Sequence, residues 1–293
     1  MNPWDFDYDL DLVAVTRLAQ DCGLQGDVTA LGVGWDYATY LCDGTVIRIP
    51  KRADTAQALR KECELLIGLP SDLGLATPRP RAHLVATPNI PYAAMLYPIL
   101  AGIPLDETTL ACDPTLLGET MGAFLARLHA TPAPLTLAPF SFEHWNGFAR
   151  QRLATVEPFL KAMTVANLEA FLARSTLAPV ARTALSHQDL NAEHILVNDR
   201  GMPVSVIDWG DAGYGPWWFD FTGLWLLGGD MALNAALNAT GAQLSPADRT
   251  NLQHHAVLAA LSEMQYAIQT EPGTAWSALT TSRFEQALSA ASE

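Results

Sequence analysis

The chain has 293 residues, 49% of them hydrophobic and 16% charged, which suits one large domain or two lobes of a globular protein. Its 31 acidic against 17 basic residues give a net charge of −14, which disfavours nucleic-acid binding and permits a cationic partner. No apolar run of about 18 residues predicts a membrane span, and no basic, apolar signal opens the chain, so we expect a cytoplasmic protein.

Short strands and one helix are predicted in the first hundred residues. Asp43 and Gly44 supply the turn of a β-hairpin, and Pro70 ends the helix that follows it. Pro98 and Gly102 then interrupt the pattern, and we place the boundary between two lobes there. In chain order the elements are strands over 37–42 and 45–49, a helix over 55–69, and strands over 81–86 and 92–97.

The remainder of the chain is predicted to be mainly helical. Asp113 is a suitable N-cap and Pro114 fits the first turn of a helix that ends near Thr131. A second hairpin, with the turn 198–201, interrupts the helical pattern. The elements are helices over 113–131, 150–175 and 219–270, and strands over 195–197 and 204–207.

Two aspartates flank this second hairpin. Asp189 lies in the segment that enters it and Asp208 at its exit, so antiparallel pairing brings them close together despite their separation in sequence. Phosphoryl transfer needs one carboxylate to orient an acceptor hydroxyl and another to place the metal that bridges the phosphates. We predict Asp189 for the first role and Asp208 for the second. Taken singly, Asp189 could cap a turn and Asp208 could end a strand.

The segments His187 to Leu190 and Ile207 to Trp209 resemble the catalytic signature of the aminoglycoside phosphotransferase and choline kinase family. The resemblance implies a catalytic Asp189, a His187 that braces its loop, and Asp208 as the ligand of Mg²⁺. It also implies ATP or GTP as co-substrate. Gln188 stands where the family has glycine.

His194 stands where the family usually has an asparagine that ligates metal. Magnesium prefers oxygen ligands, so imidazole is an inferior substitute. Some bacterial members are similar in having histidine there, and we keep His194 as a metal-site or phosphate-site residue, with a packed histidine as the alternative. Asp220 resembles a structural aspartate of the family, and Asp211 either faces the substrate or is a solvated loop carboxylate.

A nucleotide-binding loop is predicted ahead of the first hairpin. Gly32 and Gly34 belong to a stretch that resembles the phosphate loop of bacterial members. Alternation along the strand puts Val46 and Arg48 on one face, where Val46 could contact the base and Arg48 the phosphates. Lys51 is the rival cation.

The remaining nucleotide-site candidates lie after the hairpin. Glu62 matches the family's acidic partner for Arg48, although it could also be a surface residue. Met95 and Tyr97 belong to a segment that resembles the linker whose backbone meets the adenine edge. Among the tryptophans, the candidates for pocket walls are residues 145, 209, 217, 218, 225 and 276.

Together these features imply an α+β, protein-kinase-like fold of two lobes. The small lobe, 1–98, holds an antiparallel sheet and a helix and binds nucleotide, and the larger, mostly helical lobe, 99–293, binds the acceptor. We expect a magnesium-dependent kinase that phosphorylates a hydroxyl of an aminoglycoside-like molecule. The alternatives are a macrolide phosphotransferase, a kinase of choline or an amino sugar, a nucleotide-binding pseudokinase, and a hydrolase with zinc or manganese.

Overall fold

The computed structural model describes residues 6–81, 85–87, 90–105, 112–132, 143–174, 177, 179–180 and 182–291. Its elements form a small lobe built on an antiparallel sheet and a larger, mainly helical lobe, which confirms the predicted fold class. None of the helices in these segments is long and apolar enough to cross a membrane.

The small lobe contains one five-stranded sheet with the strand order β1-β2-β3-β5-β4. The predicted hairpin is confirmed as β2 and β3, with Thr39 paired to Arg48, and the predicted helix as α2. The elements are α1 (Leu12–Asp21), β1 (Thr29–Val33), β2 (Tyr37–Cys42), β3 (Thr45–Pro50), α2 (Ala53–Gly68), β4 (Val85–Thr87) and β5 (Ile90–Pro98).

Two details of this sheet differ from the sequence expectation. Gly32 lies within strand β1 and not in a loop, because residues 29–33 pair with β2 across a bulge. Met95 and Tyr97 belong to strand β5 rather than to a linker, since β5 continues to Pro98. The connection between the lobes therefore begins only after that proline.

The two faces of the sheet contact different parts of the molecule. Ile47 and Leu96 pack on one side with helix α1, whose Val15 and Leu18 are buried. Val46 and Tyr97, which are cross-strand partners, belong to the hydrophobic cluster that continues into the larger lobe. The alternation predicted from the sequence thus directs the second face toward the cleft between the lobes.

The larger lobe is mainly helical, and its predicted hairpin is β8 and β9. The helix predicted from Asp113 is confirmed as α3, with that side chain accepting backbone N–H bonds. The elements are β6 (Ile103–Pro104), α3 (Pro114–Ala130), α4 (Glu143–Val156), α5 (Ala162–Arg174), β7 (Thr183–Ser186), β8 (Ile195–Val197), β9 (Pro203–Val206), β10 (Gly213–Pro216), α6 (Phe221–Thr240), α7 (Pro246–Thr270) and α8 (Ala275–Ala290).

Helices α3 and α6 approach each other closely at two glycines. A Cβ atom on Gly118 would lie 2.2 Å from the Ala232 carbonyl oxygen, and one on Gly122 would lie 2.5 Å from that of Ala236. Only glycine leaves room for this backbone contact. The two contacts fix the part of α6 that follows its kink at Gly229, whereas the first turn of α6 contacts the loop that carries Asp189.

The hairpin β8–β9 is also attached to the segment that follows helix α2. The Ala76 N–H donates to the Val204 carbonyl (3.0 Å), and the Val206 N–H donates to the Ala76 carbonyl (2.9 Å). Ser205 Oγ donates to the Ala101 carbonyl beyond the end of β5 (2.8 Å). The strand leading to Asp208 is therefore hydrogen-bonded to residues that precede β5 and to a residue that follows it. The lobe boundary after residue 98 stays a prediction.

Candidate active site

The loop that carries Asp189 is fastened by the first turn of helix α6. The buried carboxylate of Asp220 accepts the backbone N–H bonds of His187 (3.1 Å) and Gln188 (2.9 Å), and it contacts His129 Nε2 at 3.2 Å. One turn later, a Cβ on Gly223 would lie 1.6 Å from the Leu190 carbonyl oxygen. These contacts agree with the structural role predicted for Asp220.

His187 links the loop to the strand that leads to Asp208. Its Nε2 lies 2.9 Å from the Ile207 carbonyl, which only accepts, so Nε2 carries the proton. Its Nδ1 then accepts from the Asp189 N–H at 3.4 Å. Burial, and next the charge of His194, lower the pKa of His187, which keeps the ring neutral. The position suits a brace between the two aspartates.

Asp189 faces the cleft, with 43% of its side chain exposed. Asn191 Nδ2 donates to Asp189 Oδ1 (3.1 Å), and His194 Nδ1 lies 2.7 Å from the Asp189 carbonyl oxygen and 3.3 Å from Oδ2. The carboxylate is thereby oriented from two sides while remaining reachable by a ligand.

His194 lies between the two aspartates. Its Nε2 is 3.7 Å from Asp208 Oδ2 and 3.7 Å from Glu193 Oε1, while Nδ1 faces Asp189. Burial opposes protonation, but Asp189 and then Asp208 outweigh it and raise the pKa of His194 above its usual value. The Asp189 carbonyl only accepts, so Nδ1 carries a proton, whereas Nε2 faces Asp208 at a distance longer than a hydrogen bond. Ligation of a metal by Nε2 stays a prediction.

Arg48 occupies the other side of Asp208. Its guanidinium contacts Glu62 Oε1 at 2.6 Å and Asp208 Oδ1 at 2.5 Å, and it lies over the Tyr37 ring at 4.1 Å. Burial would raise the pKa of Asp208, but Arg48 and then His194 hold it well below its usual range. Asp208 itself adopts a left-handed backbone conformation (φ 57°).

Glu62 is a buried residue and not a surface one. It is 2% exposed, and its Oε1 also accepts the Trp209 N–H at 3.2 Å. Burial raises the pKa of Glu62, and the Arg48 charge opposes that shift. The other carboxylate oxygen, Glu62 Oε2, is buried and has no hydrogen-bond partner among the described residues.

Lys51, the rival of Arg48, serves the loop instead of the cleft. It is fully buried, its Nζ donates to the Gly34 carbonyl (2.6 Å), and it lies near the Phe6 ring. The neighbouring Arg52 pairs with Asp36 at 2.6 Å. Both cations therefore hold the turn between β1 and β2.

Asp211 is a third carboxylate at the exit of the hairpin. Partial burial of its carboxyl group, and then the charges of Asp189 and Asp208, raise the pKa of Asp211 to about 6. An ordinary solvated carboxylate titrates near 4. Asp211 is thus electrostatically part of the cleft, although the residue as a whole is exposed.

A cavity of about 340 Å³ opens beside Asp189. Helices α7 and α8 supply its far wall. Apart from Trp276, the sequence motifs did not indicate the wall residues of these helices, because residues in separate helices that line one cavity have no fixed spacing in sequence. Trp276 was predicted as a pocket wall and lines it, whereas Trp209, Trp217 and Trp218 are buried core. The side chain of Trp145 lies outside the described residues. The polar lining includes Gln188, Asp189, Asn191, Glu193, Glu263 and Tyr266.

The donors near Asp208 suit a hard cation. Asp208 Oδ1 is engaged by Arg48, which leaves Oδ2, and magnesium is typically held by one or two carboxylates together with phosphate oxygens and water. Within the described part of the chain, no cluster of three or more His, Cys, Asp or Glu residues forms a metal site by itself.

Comparisons with known proteins show the family and the fold. The family model described as "Phosphotransferase enzyme family" matches residues 27–258. A GDP complex of an aminoglycoside 2'-phosphotransferase of type IIIa is similar in structure, with a TM-score of 0.73 and 20% identity over 96% of this chain and 98% of that one. The macrolide 2'-phosphotransferase of Brachybacterium faecium aligns with a TM-score of 0.65 and 26% identity, over 94% and 97%.

A third similar structure is a complex of an aminoglycoside phosphotransferase with GDP and kanamycin. Its TM-score is 0.69 and its identity 20%, over 96% of this chain and 99% of that one. A search of curated protein sequences finds no significant match.

Proposed function

Because the chain belongs to the phosphotransferase enzyme family, we propose that it transfers the γ-phosphoryl group of ATP or GTP to a hydroxyl of a small cationic molecule, with Mg²⁺ as cofactor. One observation carries the proposal: the ring of His194 lies 3.3 Å from Asp189 Oδ2 and 3.7 Å from Asp208 Oδ2. The two carboxylates that phosphoryl transfer requires therefore share one cleft.

In the proposed reaction, Asp189 orients the acceptor hydroxyl and takes its proton. The hydroxyl oxygen bonds to the γ-phosphorus as the bond to the nucleoside diphosphate breaks. Asp220 and His187 hold the loop so that the Asp189 carboxylate keeps its direction during this exchange. Asn191 supports the same carboxylate through its Nδ2–H.

The nucleotide is proposed to bind between the small-lobe sheet and Asp208. Val46 and Tyr97, on the cleft face, would contact the base, and Met95 lies beside them as the cross-strand partner of Arg48. Arg48, positioned by Glu62, would bind phosphate oxygens. Gly32 and Gly34 leave room near the phosphates, since no atom lies within 4 Å of a Cβ on Gly32.

Asp208 would hold the magnesium ion through Oδ2. The ion supplies positive charge that neutralises the phosphates. His194 Nε2 lies 3.7 Å from Asp208 Oδ2, beside the proposed ion, and we keep the prediction that it ligates the metal. Glu193 contributes a further carboxylate oxygen beside the same ring.

The acceptor is proposed to bind in the cavity next to Asp189. Its lining contains the carboxylates of Asp189, Glu193 and Glu263 against one guanidinium, that of Arg152, and the chain carries a net charge of −14. Both features favour ammonium groups, as in an aminoglycoside-like molecule. Tyr266 and Trp276 add aromatic walls, which would also suit a macrolide. Choline and amino sugars are the smaller cationic candidates.

The test is transfer of radiolabelled phosphate from ATP and from GTP to kanamycin, gentamicin, a macrolide and choline. We expect transfer to one cationic class, and we expect Asp189→Asn to reduce kcat by at least ~10²-fold. Asp199→Asn is the matched control, because it makes the same change at the exposed turn of the same hairpin. Unchanged transfer by Asp189→Asn would refute the kinase mechanism. Nucleotide binding without transfer to any acceptor would favour the pseudokinase.

A further inference from the structure

Gln188 adopts a backbone conformation that normally favours glycine. Its φ angle is 68°, in the left-handed region, where any side chain is strained relative to glycine. The loop is held there because the Gln188 N–H and the His187 N–H both donate to the buried Asp220 carboxylate. The chain therefore maintains a side chain at a position where glycine would be more stable.

Gln188 is one of the residues that line the cavity beside Asp189. Within the residues that the structure describes, its amide group forms no hydrogen bond, although its neighbours in the loop are firmly bonded. The amide therefore keeps both a donor and an acceptor for a ligand.

The opposite strand leaves space for this amide. Gly213, on β10, pairs with Ser186 immediately before the loop, and a Cβ on Gly213 would lie only 2.9 Å from Gln188 Nε2. The next nearest atoms to that Cβ are 3.7 Å and 3.8 Å away, and the Gly213 backbone has no positive φ. An alanine at 213 would consequently displace the Gln188 amide and disturb little else.

We propose that Gln188 is a specificity-determining residue, whose amide binds a hydroxyl or amino group of the acceptor next to the hydroxyl that Asp189 orients. The inference rests on the proposed function, since it concerns the acceptor of that reaction. The strained backbone, the unbonded amide of a cavity-lining residue and the absence of a side chain at Gly213 are three separate observations that it explains together.

Two substitutions remove the contact in different ways. Gln188→Ala deletes the amide and keeps a side chain in the left-handed conformation, whereas Gly213→Ala keeps the amide and displaces it. We expect both to raise the KM for the acceptor by about 5- to 10-fold, the effect of one lost hydrogen bond. The KM for the nucleotide and kcat should change by less than about twofold, because Asp189 and Arg48 are untouched.

Gln188→Gly separates backbone strain from recognition. It removes both the amide and the strain, so we expect the same rise in acceptor KM together with a Tm about 2 °C above that of Gln188→Ala. The kinetic probes are kanamycin, gentamicin and a macrolide, with the KM taken for each molecule that is phosphorylated.

The outcomes distinguish the inference from the function on which it rests. An acceptor KM equal to the wild-type value in Gln188→Ala and Gly213→Ala overturns the role of Gln188 and leaves the kinase standing. Wild-type transfer by Asp189→Asn, or no transfer to any probe by the wild type, overturns the proposed function and this inference with it. A rise in the KM for the nucleotide, with no rise in the KM for the acceptor, would mean that Gln188 contacts the nucleotide. This result would also contradict the inference.

Discussion

At the scale of single residues, the carboxylates of the cleft differ in their environments. Arg48 keeps Asp208 ionised, whereas Asp211, three residues later, has a pKa of about 6. The sequence predicted Asp189 and Asp208 from their places at the two ends of a hairpin, and the family resemblance implied the pairing of Arg48 with Glu62. The pKa of Asp211 could not be predicted in this way, because it depends on charges and burial that only folding creates.

Asp211 is expected to make stability depend on pH. Its pKa is raised on folding, so the folded state binds more protons than the unfolded state between about pH 4 and pH 6, and stability falls as pH rises through this range. Asp211→Asn removes this loss. We expect equal Tm values below pH 4 and a variant about 1 kcal/mol more stable above pH 7, a figure reduced for solvent screening.

The measurement is thermal unfolding from pH 3.5 to pH 8 with EDTA present. Asp199→Asn provides the reference for removing a carboxylate from the surface of the same hairpin. A difference between Asp211→Asn and wild type that stays constant with pH would argue against a shifted Asp211.

At the scale of elements, both hairpins and the helices α2 and α3 were predictable, because turn residues and capping residues mark their ends. Strand β1 was not predicted. All five of its residues are exposed, so no apolar alternation signals it, and Gly32 indicated a loop. The sequence predicted a structural role for Asp220 at the start of α6, but it did not predict the contact of Gly223 with the Asp189 loop.

Substitution of Gly223 tests whether helix α6 positions the loop that carries Asp189. Its substitution by alanine would place a Cβ 1.6 Å from the Leu190 carbonyl oxygen, and the loop must shift. A displacement of about 1 Å can cost ~10²-fold in rate, so we expect kcat to fall by that order in the folded protein. Kinetic assays on protein whose folded fraction is checked by circular dichroism measure this effect.

Gly118→Ala is the matched control, because it overpacks the α3–α6 contact away from the Asp189 loop. It should lower Tm and leave kcat of the folded fraction nearly unchanged. Equal losses of kcat in the two variants would mean that α6 acts through global stability and not through the loop.

At the scale of the whole molecule, the cleft joins groups from both lobes through one side chain. Arg48 comes from the small-lobe sheet and Asp208 follows the large-lobe hairpin, and the guanidinium contacts both Asp208 and Glu62. The sequence predicted the two lobes because motifs and composition change along the chain. It did not predict the Arg48–Asp208 pair, since that contact spans 160 residues.

The contact between Arg48 and Asp208 has a thermodynamic consequence for the binding of nucleotide and Mg²⁺. In the proposed site, phosphate would compete for Arg48 and a divalent cation would compete for Asp208, so the arrival of either ligand would release the group that the other one needs. The two should bind synergistically, and linkage requires the enhancement to be reciprocal. Calorimetric titration would show nucleotide binding more tightly with Mg²⁺ than without it, and Arg48→Met would shrink that ratio. An undiminished ratio in Arg48→Met would mean that the synergy comes from the metal–nucleotide complex alone.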